Sequence, residues 1–206
     1  YVLVDSRQRQ ISRYHEGRED LQPIKGNDLV LSLESSAQKV AEEEFKGKRG
    51  ALVAIEPTSG EIIAMVSAPD YDLNRFSYFT PKTFLDSIYS DPFTPLFNRA
   101  TMSVHSPGST FKMLSALAAL DMGIITTSYT TTCGGGFTFG RFFKCHGNHG
   151  TINVVTAIEK SCNSFFYRLI YKIGIDKWKE YASRFGFGSV TGADLTEEAP
   201  GLIPGE

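Results

Sequence analysis

The chain has 206 residues, 41% of them hydrophobic and 21% charged, which is enough for one sizeable core and part of a second unit. Its 21 basic and 23 acidic side chains leave a net charge of −2 with no block of like charge, so nucleic acid and an anionic membrane surface are poor fits as the main partner. No apolar run approaches the roughly 18 residues of a membrane-crossing helix.

In chain order, Tyr1 to Tyr14 alternates in a way that predicts a short strand at the tail of a preceding unit. From Asp28, Leu29, Leu31 and Leu33 alternate, and Ser35-Ser36-Ala37-Gln38 is a capping-box sequence before a helix reaching about Phe45. Ala51–Ile55 and Glu61–Ser67 are β-rich runs separated by Glu56-Pro57-Thr58-Ser59-Gly60. Proline early and glycine late in that spacer predict a turn between antiparallel strands. Helices covering such a pair give an α/β (α+β) sandwich. Ala68 to Pro95, rich in prolines, aspartates and aromatics, predicts an irregular surface layer, and Asn98 and Arg99 lead from it towards a cleft.

Ser106-Pro107-Gly108-Ser109-Thr110-Phe111-Lys112 then opens a run (Phe111, Met113, Leu114, Leu117, Leu120) that is apolar on nearly every face and ends at Gly123, the pattern of a core helix. Thr126–Thr132 is polar and β-branched. Three further helices are expected: Thr151–Lys160 with Ile152, Val155 and Ile158 on one stripe, Asn163–Ile173 ended by Gly174, and Lys177–Phe185. The last would be capped by Asp176, bury Trp178, Tyr181, Ala182 and Phe185, and close at Gly186.

Residues three apart share a helix face, so Lys112 sits one turn above Ser109 and its amine can reach the serine oxygen. A serine hydroxyl is a weak nucleophile until a base takes its proton, and a lysine serves only where burial or neighbouring positive charge keeps it partly neutral. The helix N-terminus also favours developing negative charge. A bare Ser-x-x-Lys is common by chance, with the serine as cap and the lysine turned outward. Ser161-Cys162-Asn163 adds the Ser-x-Asn element that accompanies Ser-x-x-Lys in penicillin-recognising enzymes.

The stretches GALVAIEPTSGEIIAMVSAPDYDLN, SPGSTFKMLSALAAL, SCNSFFYRLIYKIG and FGFGSVTGADLTEEAPGLIP, in this order, resemble the transpeptidase domain of a class B penicillin-binding protein, in particular the elongation-type group, penicillin-binding protein two. The resemblance runs from about Gly26 onward. It implies a helix-covered sheet of the serine β-lactamase type, with residues 1–25 as the end of a pedestal domain and 26–206 as a partial transpeptidase domain lacking its C-terminal strands. It further implies a parent protein anchored by an N-terminal segment at the periplasmic face of the inner membrane.

By the same resemblance Ser109 is the acyl-forming nucleophile and Lys112 its base. Ser161 relays a proton to the departing amine, and Asn163 holds the substrate amide or orients Lys112. One oxyanion donor is the Ser109 backbone N–H. The other would come from a Lys-Thr-Gly or Lys-Ser-Gly strand, which this sequence does not contain: Lys82-Thr83 precedes Phe84, and Thr191-Gly192 follows Val190. The implied reaction is D,D-transpeptidation of D-Ala-D-Ala stem peptides, with β-lactams acylating the same serine, no cofactor needed for the chemistry, and partners among wall-elongation membrane proteins such as a glycosyltransferase. A β-lactam sensor or hydrolase would share both motifs. The sequence offers no clear carboxylate base for deacylation, which weighs against a β-lactamase, with Glu159 and Glu180 left open. A non-catalytic scaffold of the wall-synthesis complex is the other alternative.

Cys133, Cys145, His149 and Cys162 offer three thiolates and an imidazole, the donor set of a closed structural zinc site, with His146 as a possible substitute ligand. The alternative is a Cys133–Cys145 disulfide with Cys162 as a small buried residue. Zinc is favoured, because it gives His149 and Cys162 a reason to converge, and the resemblance implies a metal at these positions.

Overall fold

The computed structural model describes residues 1–21, 24–76 and 80–205. The N-terminal alternation becomes a hairpin of β1 (Val2–Val4) and β2 (Gln10–Arg13), exposed throughout. The leucine alternation at 29–33 does not become a strand: all three leucines are exposed, packed on no face of the described residues. Instead the segment touches the next sheet at two points, Ser32 Oγ donating to the Ile62 carbonyl at 2.8 Å and Glu34 N–H to that of Ile63 at 2.9 Å.

Helix α1 (Ser35–Phe45) forms as expected, but its cap is the Glu34 carboxylate, which accepts from Ala37 N–H at 2.7 Å. Gln38 is therefore released from capping. Its side-chain amide pairs with the Met65 backbone, donating to the carbonyl at 2.9 Å and accepting from the N–H at 2.8 Å. Met65 lies in β4 (Ile62–Ala68), which pairs antiparallel with β3 (Gly50–Ile55) around the predicted turn. Alternation along β4 sends Ala64, Val66 and Ala68 to one face, where they bury against Ala37, Ala41 and Phe45 of α1.

Ala68 to Pro95 is more ordered than its composition predicts. Beyond residues 77–79, which lie outside the described residues, it forms α2 (Lys82–Ser90), entered from Pro81 with Ile88 buried. Arg99, in α3 (Arg99–Met102), is buried without a carboxylate partner among the described residues. Its guanidinium donates to the carbonyls of Phe93, Thr94 (3.1 Å) and Phe97 (3.3 Å) and to Thr94 Oγ1 (3.0 Å). Ser67 Oγ of β4 accepts from the Arg99 N–H at 2.9 Å, so the sheet is tied to the segment that leads to Ser109.

The second core centres on α4 (Phe111–Asp121), α6 (Asn163–Ile173) and α7 (Ile175–Ser183). Helix α4 is not buried all round: Ser115, Ala116, Ala118 and Ala119 form its inner face, while Met113 and Leu117 are exposed. Small residues on the inner face allow close approach of Phe165 and Leu169 from α6 and of Trp178 from α7, whose indole donates to Ser115 Oγ at 3.2 Å. Gly174, at φ +82°, ends α6 and opens α7 without an Asp176 cap; Trp178, Tyr181 and Ala182 are buried as expected, but Phe185 is exposed.

Four short strands frame this core: β5 (Thr130–Cys133) pairs with β8 (Gly150–Asn153), and β6 (Gly136–Phe139) with β7 (Arg141–Lys144). The helix expected from Thr151 begins only at α5 (Val154–Glu159), because Asn153 caps it by accepting from Thr156 N–H at 3.0 Å. Its buried residues are Val154 and Ala157, and Val155 and Ile158 face out. Among the described residues no helix is long and apolar enough to cross a membrane.

Candidate active site

Gly108 takes φ +62° and starts a single tight turn, Gly108–Thr110, that sets Ser109 at the solvent-facing entrance of α4. One turn further, Lys112 is half-buried. The chain returns to the same place at the α5–α6 junction. There Ser161, a non-glycine residue at φ +47°, turns its side chain and carbonyl towards Lys112, and Asn163 begins α6.

The four predicted residues meet in one hydrogen-bonded group. Lys112 Nζ donates to Asn163 Oδ1 at 2.6 Å, to the Ser161 carbonyl at 2.7 Å and to Ser161 Oγ at 2.9 Å. Ser161 Oγ in turn donates to Ser109 Oγ at 2.9 Å. No hydrogen bond joins Lys112 directly to Ser109 among the described residues; the connection runs through Ser161. Burial lowers the Lys112 pKa from that of an ordinary lysine, against an opposing pull from negative charge at Cys145 and Cys162. Phe166, absent from the sequence-based set, lies one turn beyond Asn163 on α6 and presents its ring 5.8 Å from Lys112 Nζ. The i, i+3 spacing to Asn163 is the signal that could have found it.

Among the described residues no hydrogen bond of this group reaches a carboxylate: Glu159 and Glu180 are exposed and bonded to none of its four members. Lys82-Thr83 opens α2 and Thr191-Gly192 lies in a loop.

Cys133 ends β5, Cys145 follows β7, His149 precedes β8 and Cys162 caps α6. Their donor atoms converge to within 4.8 Å of one another, and all three cysteines are buried, free thiols. The Cys133–Cys145 disulfide is thus not formed. Cys145 Sγ is 3.8 Å from Cys162 Sγ and 3.7 Å from His149 Nδ1. A tetrahedron with zinc–sulfur bonds of about 2.3 Å has edges of about 3.8 Å, so the donor set fits that ion. Burial raises the Cys145 thiol, but N–H groups of Ser164 and Gly147 and the thiols of Cys162 and Cys133 outweigh it and bring its pKa down, whereas burial, with the Cys133 and Cys145 thiols, pushes Cys162 up against the Phe165 N–H. The cluster and the serine–lysine group share a segment, since Cys162 lies between Ser161 and Asn163.

Residues 50–206 match the penicillin binding protein transpeptidase domain. The peptidoglycan D,D-transpeptidase MrdA of Acinetobacter baumannii is 40% identical over 196 residues, which is 92% of this chain and 29% of that protein. Penicillin-binding protein PBP2 of Pseudomonas aeruginosa, in complex with WCK 5153, superposes with a TM-score of 0.81 at 37% identity, covering 88% of this chain and 42% of that one. PBP2 of Helicobacter pylori, solved in complex with MreC, superposes with a TM-score of 0.82 at 30% identity, covering 98% and 38%. The chain thus spans less than half the length of each of these relatives, and it belongs to the penicillin-binding protein transpeptidase family.

Proposed function

We propose that this chain carries the acylation centre of a peptidoglycan D,D-transpeptidase acting in cell-wall elongation. The observation that carries the reading is the continuous hydrogen-bond path from Ser109 through Ser161 to Lys112, with Asn163 holding the amine from the far side. With Lys112 neutral, a proton passes from Ser109 through Ser161 to Lys112 as Ser109 Oγ attacks the carbonyl of the penultimate D-alanine. The peptide C–N bond then breaks, D-alanine leaves with the proton returned along the same path, and Ser109 holds an ester. An amine of a neighbouring stem peptide attacks that ester, forming the crosslink and restoring the hydroxyl. The Ser109 backbone N–H, at the entrance of α4, supplies one donor to the oxyanion.

Cys133, Cys145, His149 and Cys162 would hold a structural zinc ion. The ion would supply charge to stabilise three thiolates and cross-link β5, the segment after β7, the start of β8 and the cap of α6. The chemistry itself is carried by side chains. The reading assigns the parent protein to the periplasmic face of the inner membrane, through an N-terminal anchor outside these residues, with residues 1–25 as the end of a pedestal. Its partners would be an MreC-like scaffold and a glycosyltransferase; the relative solved with MreC supports the first.

The test is to supply the full-length protein with pentapeptide-bearing uncrosslinked peptidoglycan. Released D-alanine and crosslinked dimer, both absent with Ser109→Ala, are expected. Folded protein that yields neither would leave a scaffold as the better account.

A further inference from the structure

On the side of α6 facing the β6–β7 hairpin lies a groove of about 540 Å³, lined chiefly by Phe137, Phe139, Phe143, Tyr167, Ile170 and Tyr171. Its walls are aromatic: ring centroids of Phe143 and Tyr167 are 5.5 Å apart and those of Phe139 and Tyr171 5.6 Å. Phe139 is 61% and Tyr171 69% exposed. A groove of this size lies within the range of ligand sites, about 300–1,000 Å³, and clustered exposed aromatics mark a binding surface.

Charge indicates what kind of ligand. The hairpin and α6 carry Arg141, Lys144, Arg168 and Lys172 and no acidic residue. None of the four cations has an ion-pair partner among the described residues. Arg168 lies 5.1 Å over the Phe137 ring, with its buried Nε making no hydrogen bond among the described residues, and Arg141 lies 4.9 Å over Phe143, whereas Lys172 lies 5.6 Å over Tyr129, outside the groove. The site suits a chain with apolar ring faces and carboxylates.

Position narrows it further. Helix α6 begins at Asn163 in the acylation centre, and Tyr167 and Tyr171 follow at four-residue steps, about 6 and 12 Å along the axis at 1.5 Å per residue. A stem peptide extended at about 3.5 Å per residue places its sugar about 14 Å from a scissile bond four residues away. We propose that this groove binds the glycan strand of uncrosslinked peptidoglycan, its pyranose faces on the aromatic rings and the carboxylates of adjacent stem peptides on Arg141 and Arg168. The proposal rests on the transpeptidase reading, since that reading sets the stem peptide at Asn163. A concave site suits a polymer strand better than a flat membrane surface.

The experiment is co-sedimentation of the full-length protein in detergent with protein-free sacculi, after benzylpenicillin has been offered to Ser109 so that the acylation centre does not contribute. The acylated protein is expected to sediment, and Phe139→Ala with Tyr171→Ala to weaken binding about tenfold, the effect of losing an aromatic anchor. Tyr171→Phe should retain binding, and Arg141→Glu should lose it while still acylating. Equal sedimentation of wild type and the alanine variant would overturn the proposal, as would release by phosphatidylglycerol vesicles but not by soluble glycan strands. If benzylpenicillin fails to acylate while sedimentation still depends on the groove, the transpeptidase reading fails and the glycan site stands.

Discussion

Ser161 Oγ donates to Ser109 Oγ at 2.9 Å, and the same Ser161 oxygen accepts from Lys112 at 2.9 Å. The proposed nucleophile and its base are therefore joined by an exchangeable hydroxyl whose direction of donation can reverse. With Lys112 charged, donation runs towards Ser109; with Lys112 neutral, it runs from Ser109 towards the amine.

Acylation should accordingly follow the titration of Lys112. The reactive form is the neutral amine, so the rate of acylation by benzylpenicillin rises with pH and levels off above the Lys112 pKa. Burial lowers that pKa from the ordinary 10.5, so the midpoint falls below that of a free lysine. Lys112→Arg, which cannot deprotonate, should lose about 10²–10⁴ of the rate at every pH. A profile with an unshifted lysine midpoint, or an active Lys112→Arg protein, would contradict this assignment.

Removing the relay while keeping the base should also be costly. Ser161→Ala leaves Lys112 its bonds to Asn163 and the residue-161 carbonyl but breaks the path to Ser109, and a rate loss of about 10²–10⁴ is expected with little change in thermal midpoint. Pre-steady-state acylation beside a melting curve distinguishes this from unfolding.

The cysteine cluster gives a prediction about metal. The full-length protein should carry one zinc per chain by elemental analysis, and chelation should lower its thermal midpoint and expose three thiols to a chromogenic disulfide. Cys162→Ser should weaken zinc retention and also disturb acylation, because Cys162 caps α6 between Ser161 and Asn163. Protein that contains no zinc and melts at the same temperature with and without chelator would remove the metal reading.

Arg99 is a stability prediction. Arg99→Met strips hydrogen bonds from the carbonyls of Phe93, Thr94 and Phe97 and should destabilise the full-length protein by about 3 kcal/mol, read from denaturant unfolding. Gln38→Ala removes both bonds to the Met65 backbone and should cost about 1–3 kcal/mol.

Much of the site was legible because its residues are local. Ser109 and Lys112 are one turn apart, Ser161 and Asn163 flank a helix cap, and both patterns survive in a linear reading. The path of the relay was not legible, because whether Lys112 contacts Ser109 or Ser161 depends on how α4 meets the α5–α6 junction across some fifty residues of sequence. The β3–β4 pair, α1 and α6 followed from alternation, turn chemistry and glycine stops. Helix α2 is hidden by prolines and aspartates around it, and Thr151–Asn153 reads as helix because three apolar residues at helical spacing, Ile152, Val155 and Ile158, span a strand and the helix after it. The groove on α6 was also out of reach, since nothing local shows that Phe139 and Tyr171 face each other.

The central claim is that Ser109 is the acylated nucleophile, and intact mass with peptide mapping of the full-length protein after benzylpenicillin treatment tests it most directly. A stable adduct on the peptide containing Ser109, absent in Ser109→Ala, is the predicted result. Folded protein that forms no adduct, or forms it elsewhere, would contradict it.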